Sequence, residues 1–160
     1  MDLIEYMNKG GEIVYILLCL NVIGFTIILW KFLILTNKKS ITSKIINKLN
    51  LQDSSNLSIQ IEYEVKKLEK GLTFIKNIAS ISPLLGLLGT VYGVLKSFEA
   101  ISSSGLGDPS IFSHGISVAL ITTIAGLIVA IPHHLCYNYF IHVLDELELR
   151  VKNEVIRNKA

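Results

Sequence analysis

The stretch that decides the fold is residues 109–144, which read PSIFSHGISVALITTIAGLIVAIPHHLCYNYFIHVL and hold no Asp, Glu, Lys or Arg. Two further windows without these residues cover 13–30 and 77–95. About 20 apolar residues are enough for a helix to cross the hydrocarbon core of a bilayer. The sequence therefore predicts an all-α membrane protein with three transmembrane helices.

The composition of the whole chain agrees with this interpretation. Of its 160 residues, 51% are hydrophobic and 18% are charged, against about 25% charged in typical soluble domains. A soluble globular enzyme is therefore excluded, and we expect no enzymatic activity and no nucleic-acid partner. The two cysteines, Cys19 and Cys136, lie within apolar stretches, so we expect them to be packing residues that form neither a metal site nor a disulfide. We also expect no cofactor.

The first apolar window lacks the features of a cleaved signal peptide. Such peptides begin with a basic region and end at small residues, whereas residues 1–12 contain three acidic residues against one lysine. Bulky residues, Trp30-Lys31-Phe32, follow where a cleavage site would need small ones. We expect the segment to remain as a membrane anchor with Trp30 and Lys31 at the interface.

The basic residues predict the orientation of the chain. Thirteen of the fifteen Lys and Arg residues fall in 31–76 or after 149, and basic residues concentrate in cytoplasmic segments. The N-terminus is then outside and the C-terminus cytoplasmic. The expected segments are an outer N-terminus at 1–11, transmembrane helix 1 at 12–35, a cytoplasmic helical loop at 36–75, transmembrane helix 2 at 76–101, an outer loop at 102–110, transmembrane helix 3 at 111–134 and a cytoplasmic C-terminal helix at 135–160.

The predicted cytoplasmic segments carry amphipathic patterns. A basic helix near 40–49 and a turn at 50–56 precede a second helix, which is expected to run without a break into transmembrane helix 2. Its apolar face follows a spacing of three or four residues: Leu57, Ile61, Val65, Leu68, Leu72 and Ile75. A similar stripe follows the third window: Leu144, Leu147, Val151 and Val155. We expect these stripes to pack on each other or on other copies of the chain.

Small residues recur four apart in the second and third windows. Small side chains let helix backbones approach closely within a membrane, and tight packing is the expected role of most of them. The rows are Ser82, Gly86, Thr90; Gly89, Gly93, Ser97; Gly115, Ala119, Thr123; and Thr122, Gly126, Ala130.

Two threonines in these rows are expected at similar depth. Pro83 and Pro132 are interpreted as helix boundaries near the cytoplasmic side. Thr90 then lies about 10 Å outward of Pro83, and Thr123 about 13 Å outward of Pro132, at ~1.5 Å rise per residue. In a ring of copies such hydroxyls would form polar rings in an apolar lumen. The alternative, which geometry alone favours, is that each hydroxyl bonds the carbonyl one turn earlier.

The same two windows resemble a known family. PLLGLLGTVYG at 83–93 and ALITTIAGLIVAIP at 119–132 are similar to the MotA/TolQ/ExbB proton-channel family, and most of all to its short ExbB and TolQ subunits. The resemblance implies a homo-oligomeric ring of five copies in which the second and third helices line a pore. The family's threonines correspond to Thr90 and Thr123, with Thr122 and Ser117 as further candidates for the proton pathway.

The resemblance also implies partners and a location. A single-span ExbD- or TolR-like subunit would supply a membrane aspartate, and a TonB-like transducer would use the proton motive force for outer-membrane import. The chain would sit among the lipids of the bacterial inner membrane, with a periplasmic N-terminus. Two alternatives remain open: a TolQ-like role in Tol–Pal envelope maintenance, or a structural scaffold that conducts nothing.

One position departs from the family pattern. Relatives often carry glutamate immediately before the Ala119-Leu120 pair, where this chain has Val118 beside Ser117. Hydroxyl groups do not titrate near neutral pH, so the partner is expected to supply the acid. The sequence assigns no firm role to three histidines, although His133 and His134 are interpreted as interfacial side chains and His114 as a weak pH-sensing candidate.

Overall fold

The computed structural model describes residues 3–49, 57–104 and 109–159. Its regular secondary structure is entirely helical within these ranges. The five helices are α1 (Leu3–Leu35), α2 (Lys38–Leu49), α3 (Leu57–Leu68), α4 (Leu72–Ser104) and α5 (Pro109–Lys159). The turn predicted at 50–56 lies outside the described residues, as do residues 105–108 of the loop predicted at 102–110. The rest of that loop is helical, because α4 extends to Ser104 and α5 begins at Pro109.

Three helices are long and apolar enough to cross a membrane. The candidate spans are Lys9–Leu35 in α1, Leu72–Ser102 in α4 and Phe112–Arg157 in α5. The predicted all-α class is therefore confirmed, and the helices provide three candidate spans, the number that was expected. In the most apolar window of each span, no more than 39% of the residues are buried, so most side chains of the spans are free to face lipid or other protein.

Helix α1 changes direction at a glycine. Gly11 has φ 66° and ψ −158°, a backbone conformation that residues with a Cβ atom rarely adopt. Glu12 is the first residue after this kink. The kink therefore divides α1 into a short N-terminal piece and the piece that carries most of the apolar window.

A second glycine corrects the expectation of an unbroken helix from residue 57 into the second span. Helix α3 ends at Leu68 and α4 begins at Leu72, with Gly71 at φ 93° between them. Glycine after a helix end commonly adopts this left-handed conformation. The apolar face nevertheless continues across the turn, because Val65, Leu72 and Ile75 are all buried.

The end of α3 is completed by a lysine from α1. Lys31 Nζ donates a hydrogen bond to the carbonyl oxygen of Leu68 at 2.7 Å, and only 5% of Lys31 is exposed. The last carbonyls of a helix have no partner within the helix, and cations near them are favourable. The expected interfacial role of Lys31 is therefore wrong, since its side chain is buried beneath this turn.

The two prolines do not end helices. Pro83 lies inside α4 and Pro132 inside α5, and both helices continue beyond them. Their predicted role as helix boundaries is therefore wrong. An internal proline removes one backbone hydrogen bond, but membrane helices tolerate it where neighbouring groups compensate for the loss.

The chain forms two compact units. The first comprises Met1–Phe25 and Lys76–His134, and the second comprises Thr26–Ile75 and Leu135–Ala160. The first has a small core around Leu17, Ile78 and Val129. The second has a larger core, which contains both predicted amphipathic stripes: Ile61, Val65, Leu72 and Ile75 with Leu144, Leu147, Val151 and Val155.

Ion pairs join two of the helices of the second unit. Glu64 accepts hydrogen bonds from Lys67 Nζ at 2.8 Å and from Lys48 Nζ of α2 at 2.9 Å. These bonds favour the charged carboxylate and lower the pKa of Glu64 below its ordinary value of 4.5. The charged side chains of α3 therefore also hold α2 in place.

Candidate functional site

Helices α4 and α5 meet through backbone atoms in the first unit. A Cβ atom added to Gly86 would lie 2.9 Å from the carbonyl oxygen of Thr122, and one added to Gly93 would lie 2.8 Å from that of Gly115. At Gly126 the nearest atom would be the carbonyl oxygen of Ser82, at 2.5 Å. Residues larger than glycine therefore do not fit at these contacts without displacing backbone.

Residues from both small-residue rows of α4 contact α5. Ser82, Gly86, Gly89, Gly93 and Ser97 all meet α5. Both serines are fully or almost fully buried, and their hydroxyls donate within their own helix to the carbonyls of Ile78 and Gly93. Ala130, from the predicted α5 rows, is also buried.

Thr90 and Thr123 are hydrogen bonded to each other across this helix pair. Thr90 Oγ1 also lies 3.1 Å from the carbonyl oxygen of Ala119 and 3.3 Å from that of Gly86. Thr123 Oγ1 lies 3.3 Å from the same Gly86 oxygen. The hydroxyl of Thr123 thus bonds to the facing helix rather than to its own, while that of Thr90 reaches carbonyls on both.

These neighbours give the pair two opposite hydrogen-bond arrangements. A hydroxyl donates one hydrogen bond and can accept others. In one arrangement Thr123 donates to Thr90, which donates to the Ala119 carbonyl. In the other Thr90 donates to Thr123, which donates to the Gly86 carbonyl. Switching between them reverses the direction of donation without breaking the contact between the helices.

The other two candidates for the pathway lie in different surroundings. Thr122 is 1% exposed, packs against Gly89, and donates to the Ala119 carbonyl at 2.8 Å. Ser117 is exposed. The structure therefore brings Thr122 to the helix contact beside the threonine pair and leaves Ser117 outside it.

Sequence reasoning missed a buried histidine in the same unit. His133 has no exposed surface, and its Nδ1 lies 2.7 Å from the carbonyl oxygen of Val129. The edge of its ring meets Phe25 at 5.2 Å between centroids, and a Cβ atom at Gly24 would overlap the ring. The interfacial interpretation is therefore wrong for His133, whereas His134 is exposed. Gly24, a small residue within the first apolar window, was the feature of the sequence that could have indicated a bulky neighbour there.

Comparison with known proteins places this helix pair in a family. A sequence model of the MotA/TolQ/ExbB proton channel family matches residues 37–153, which include α4 and most of α5. The chain belongs to that family. With its three candidate spans, it is a multi-pass membrane protein, as the sequence resemblance predicted.

Individual members of the MotA/TolQ/ExbB family match over about eighty residues. The chain is 37% identical over 82 residues to the Tol-Pal system protein TolQ of Haemophilus influenzae, covering 51% of this chain and 36% of that protein. It is 41% identical over 81 residues to the biopolymer transport protein ExbB of Aquifex aeolicus, covering 51% of this chain and 55% of that one. It is 38% identical over 84 residues to TolQ of Pseudomonas aeruginosa, covering 52% of this chain and 36% of that protein. The match therefore spans only about half, or less, of each of these relatives.

Proposed function

We propose that this chain is the ring-forming subunit of a proton-driven membrane motor and that the Thr90–Thr123 pair lies on its proton pathway. The observation that carries the proposal is the pair itself. Two half-buried hydroxyls on facing membrane helices share hydrogen bonds and can reverse them, and they lie within the segment that matches a proton channel family. A proton needs such polar groups to cross about 30 Å of hydrocarbon.

The proposed assembly is a ring of five copies around a single-span, ExbD-like partner. The open apolar faces of the spans support contacts with other copies or lipid, since large side chains such as Val22, Leu84 and Ile128 are at least 60% exposed. The partner would supply a membrane aspartate, and proton flow would energise a TonB-like transducer for outer-membrane import. The N-terminus is proposed to be periplasmic and the C-terminus cytoplasmic.

A TolQ-like role is the second candidate. It is favoured by the match to two TolQ proteins at identities close to that of the match to ExbB. In this case the same proton-driven ring would serve envelope maintenance through a TolR-like partner. The two roles differ in the partner and in the phenotype of a deletion, so loss of metal-chelate uptake would support the first and sensitivity to detergent the second.

The test of the proposed function is proton flux in liposomes. The chain is purified alone and together with an ExbD-like single-span membrane protein, and both samples are reconstituted with a trapped pH dye. We expect flux only with the partner, and a loss of that flux when the membrane aspartate of the partner is changed to asparagine. A complex that assembles but conducts no protons under an imposed gradient would instead indicate a structural scaffold.

A further inference from the structure

A cavity of about 510 Å³ lies among α1, α4 and α5 of the first unit. Its lining includes Gly11 and Glu12 from α1, Gly89 and Tyr92 from α4, and Val118 and Thr122 from α5. Among the described residues, Glu12 is the one carboxylate that lines it. Glu12 is exposed and is the one acidic residue of the first candidate span. A carboxylate within a membrane span is costly and usually functional, so its placement in a cavity calls for a role.

The backbone explains how Glu12 reaches this place. Gly11, directly before it, leaves helical geometry at φ 66°, and the helix resumes at Glu12. Gly10 packs on α5 at the same level, since a Cβ atom there would lie 3.1 Å from Cγ2 of Ile121. The kink thus sets the start of the apolar part of α1 against the middle of α5.

The cavity adjoins the threonine pair. Gly89 and Thr122 line it, and the next residue after each in the chain is Thr90 and Thr123 respectively. Gly89 packs directly on Thr122, because a Cβ atom there would lie 2.5 Å from Cβ of Thr122. The cavity and the hydroxyl pair therefore occupy neighbouring positions on the same turns of α4 and α5.

Among the described residues, few charged or titratable groups surround the cavity. From α4 the phenol of Tyr92 lines it, and Lys96 Nζ lies 5.3 Å from the centroid of the Tyr92 ring. The α5 lining residues, Val118 and Thr122, do not titrate. Lys9 precedes Glu12 by three residues on α1. Hydroxyls pass hydrogen bonds but do not titrate near neutral pH, so of the described lining residues Glu12 is the one suited to bind a proton.

We propose that Glu12 is a proton-binding site of this chain, at which a carboxylate in the cavity takes up a proton as COOH and releases it toward the Thr90–Thr123 pair. The ligand is the proton, delivered by water. This inference rests on the proposed function. It adds to the aspartate expected from the partner a second carboxylate, provided by the chain itself.

The test removes the carboxylate at position 12 and then introduces one at another residue that lines the cavity. Glu12→Gln should lower proton flux through the reconstituted complex by on the order of a hundredfold, the lower end of what a positioned acid–base group contributes. Adding Val118→Glu should restore most of the flux, because Val118 lines the same cavity. Glu62→Gln removes an exposed carboxylate of α3 and should change nothing.

Two results would overturn the inference. One is unchanged flux in Glu12→Gln, and the other is a loss that Val118→Glu fails to restore in a complex of normal size. A wild-type complex that conducts nothing would instead contradict the proposed function. For the case in which Glu12→Gln does not assemble, the wild-type chain in membranes is treated with an apolar carbodiimide, which modifies protonated carboxyl groups. Mass spectrometry should find the label on Glu12, and its absence there contradicts the proposal.

Discussion

Lys31 and Leu68 are joined by a 2.7 Å hydrogen bond between the lysine Nζ and the leucine carbonyl oxygen. This bond places a buried cation at the end of α3, directly before the Gly71 turn. The lysine stem also contacts that turn, since a Cβ atom on Gly71 would lie 3.4 Å from Cε of Lys31. A residue expected at the membrane interface therefore fixes the connection between two helices.

Replacing this lysine should destabilise the second unit. Lys31→Met keeps an apolar stem but leaves the Leu68 carbonyl unpaired, and hydrogen bonds to charged groups contribute about 1.5–3 kcal/mol. Thermal unfolding followed by circular dichroism in detergent should show a clearly lower midpoint. Lys70→Met, at an exposed position nearby, is the matched control and should unfold like the wild type. Equal midpoints for the two variants would mean that the Lys31 bond contributes no stability.

Gly89→Leu should disrupt the contact between α4 and α5. The side chain would enter space occupied by Thr122, and overpacking costs ~1–3 kcal/mol per copy. Native mass spectrometry should show loss of the wild-type oligomer. Val91→Leu also introduces leucine, two residues further along α4 at an exposed position, and should leave the oligomer intact. An oligomer of normal size in Gly89→Leu would show that the helices separate there at little cost.

The bonds of Glu64 with Lys67 and Lys48 should contribute to the stability of the fold in a pH-dependent way. Its pKa is lowered by the bonds from Lys67 and Lys48, so the folded state favours the carboxylate. This contribution is fully present above pH 4.5 and is lost as the pH falls through the lowered pKa. At pH 7, Glu64→Gln should be less stable than wild type by up to about 1 kcal/mol, as for other exposed pairs.

Unfolding of both proteins measured over a range of pH values tests this contribution. The difference between Glu64→Gln and wild type should shrink below pH 4.5 and vanish in stronger acid. Glu62→Gln, at an exposed position of the same helix, should follow the wild-type curve throughout. A difference that persists unchanged in acid would assign the effect of Glu64 to packing rather than to charge.

The orientation of the chain in the membrane is tested by replacing one of two serines with cysteine and labelling it. In a chain with Cys19 and Cys136 replaced by alanine, Ser102→Cys should react with a membrane-impermeant maleimide added to intact spheroplasts, and Ser58→Cys should react only after lysis. Both positions are exposed, so the accessibility of the side chains is matched. The opposite labelling pattern would reverse the predicted topology.

The sequence predicted those features that depend on periodicity along one helix. The three candidate spans follow from uncharged windows, and the apolar stripe from 57 to 75 is buried at four of its six positions although a turn interrupts it. The rise of a helix also predicted a similar depth for Thr90 and Thr123, and their hydroxyls are hydrogen bonded in the structure. Each of these features needs only the 3.6-residue period and the rise of a helix.

The features that the sequence did not predict depend on contacts between helices. Burial of Lys31 depends on the end of α3, 37 residues away. Burial of His133 depends on Gly24, and the location of Glu12 in a cavity depends on the kink at Gly11. Single-helix patterns carry no information about which neighbour covers a given face, so a charged residue beside an apolar window was interpreted as interfacial.

The proposed proton pathway passes by way of the Thr90–Thr123 hydroxyls. It is tested most directly by proton flux through liposomes that contain the complete complex, with Thr90→Val and Thr123→Val combined. Valine keeps the shape of threonine and removes only the hydroxyl. The exposed Thr36, whose hydroxyl bonds within its own helix, provides the control Thr36→Val.

We expect the double valine variant to assemble normally and its proton flux to fall on the order of tenfold. This is the effect of raising a barrier by about 1.4 kcal/mol, as one lost hydrogen bond would. Replacing both threonines by serine, which keeps the hydroxyls, should preserve most of the flux, and Thr36→Val should preserve all of it. Wild-type flux through the double valine variant in an intact ring would contradict the account and leave Thr90 and Thr123 as packing residues.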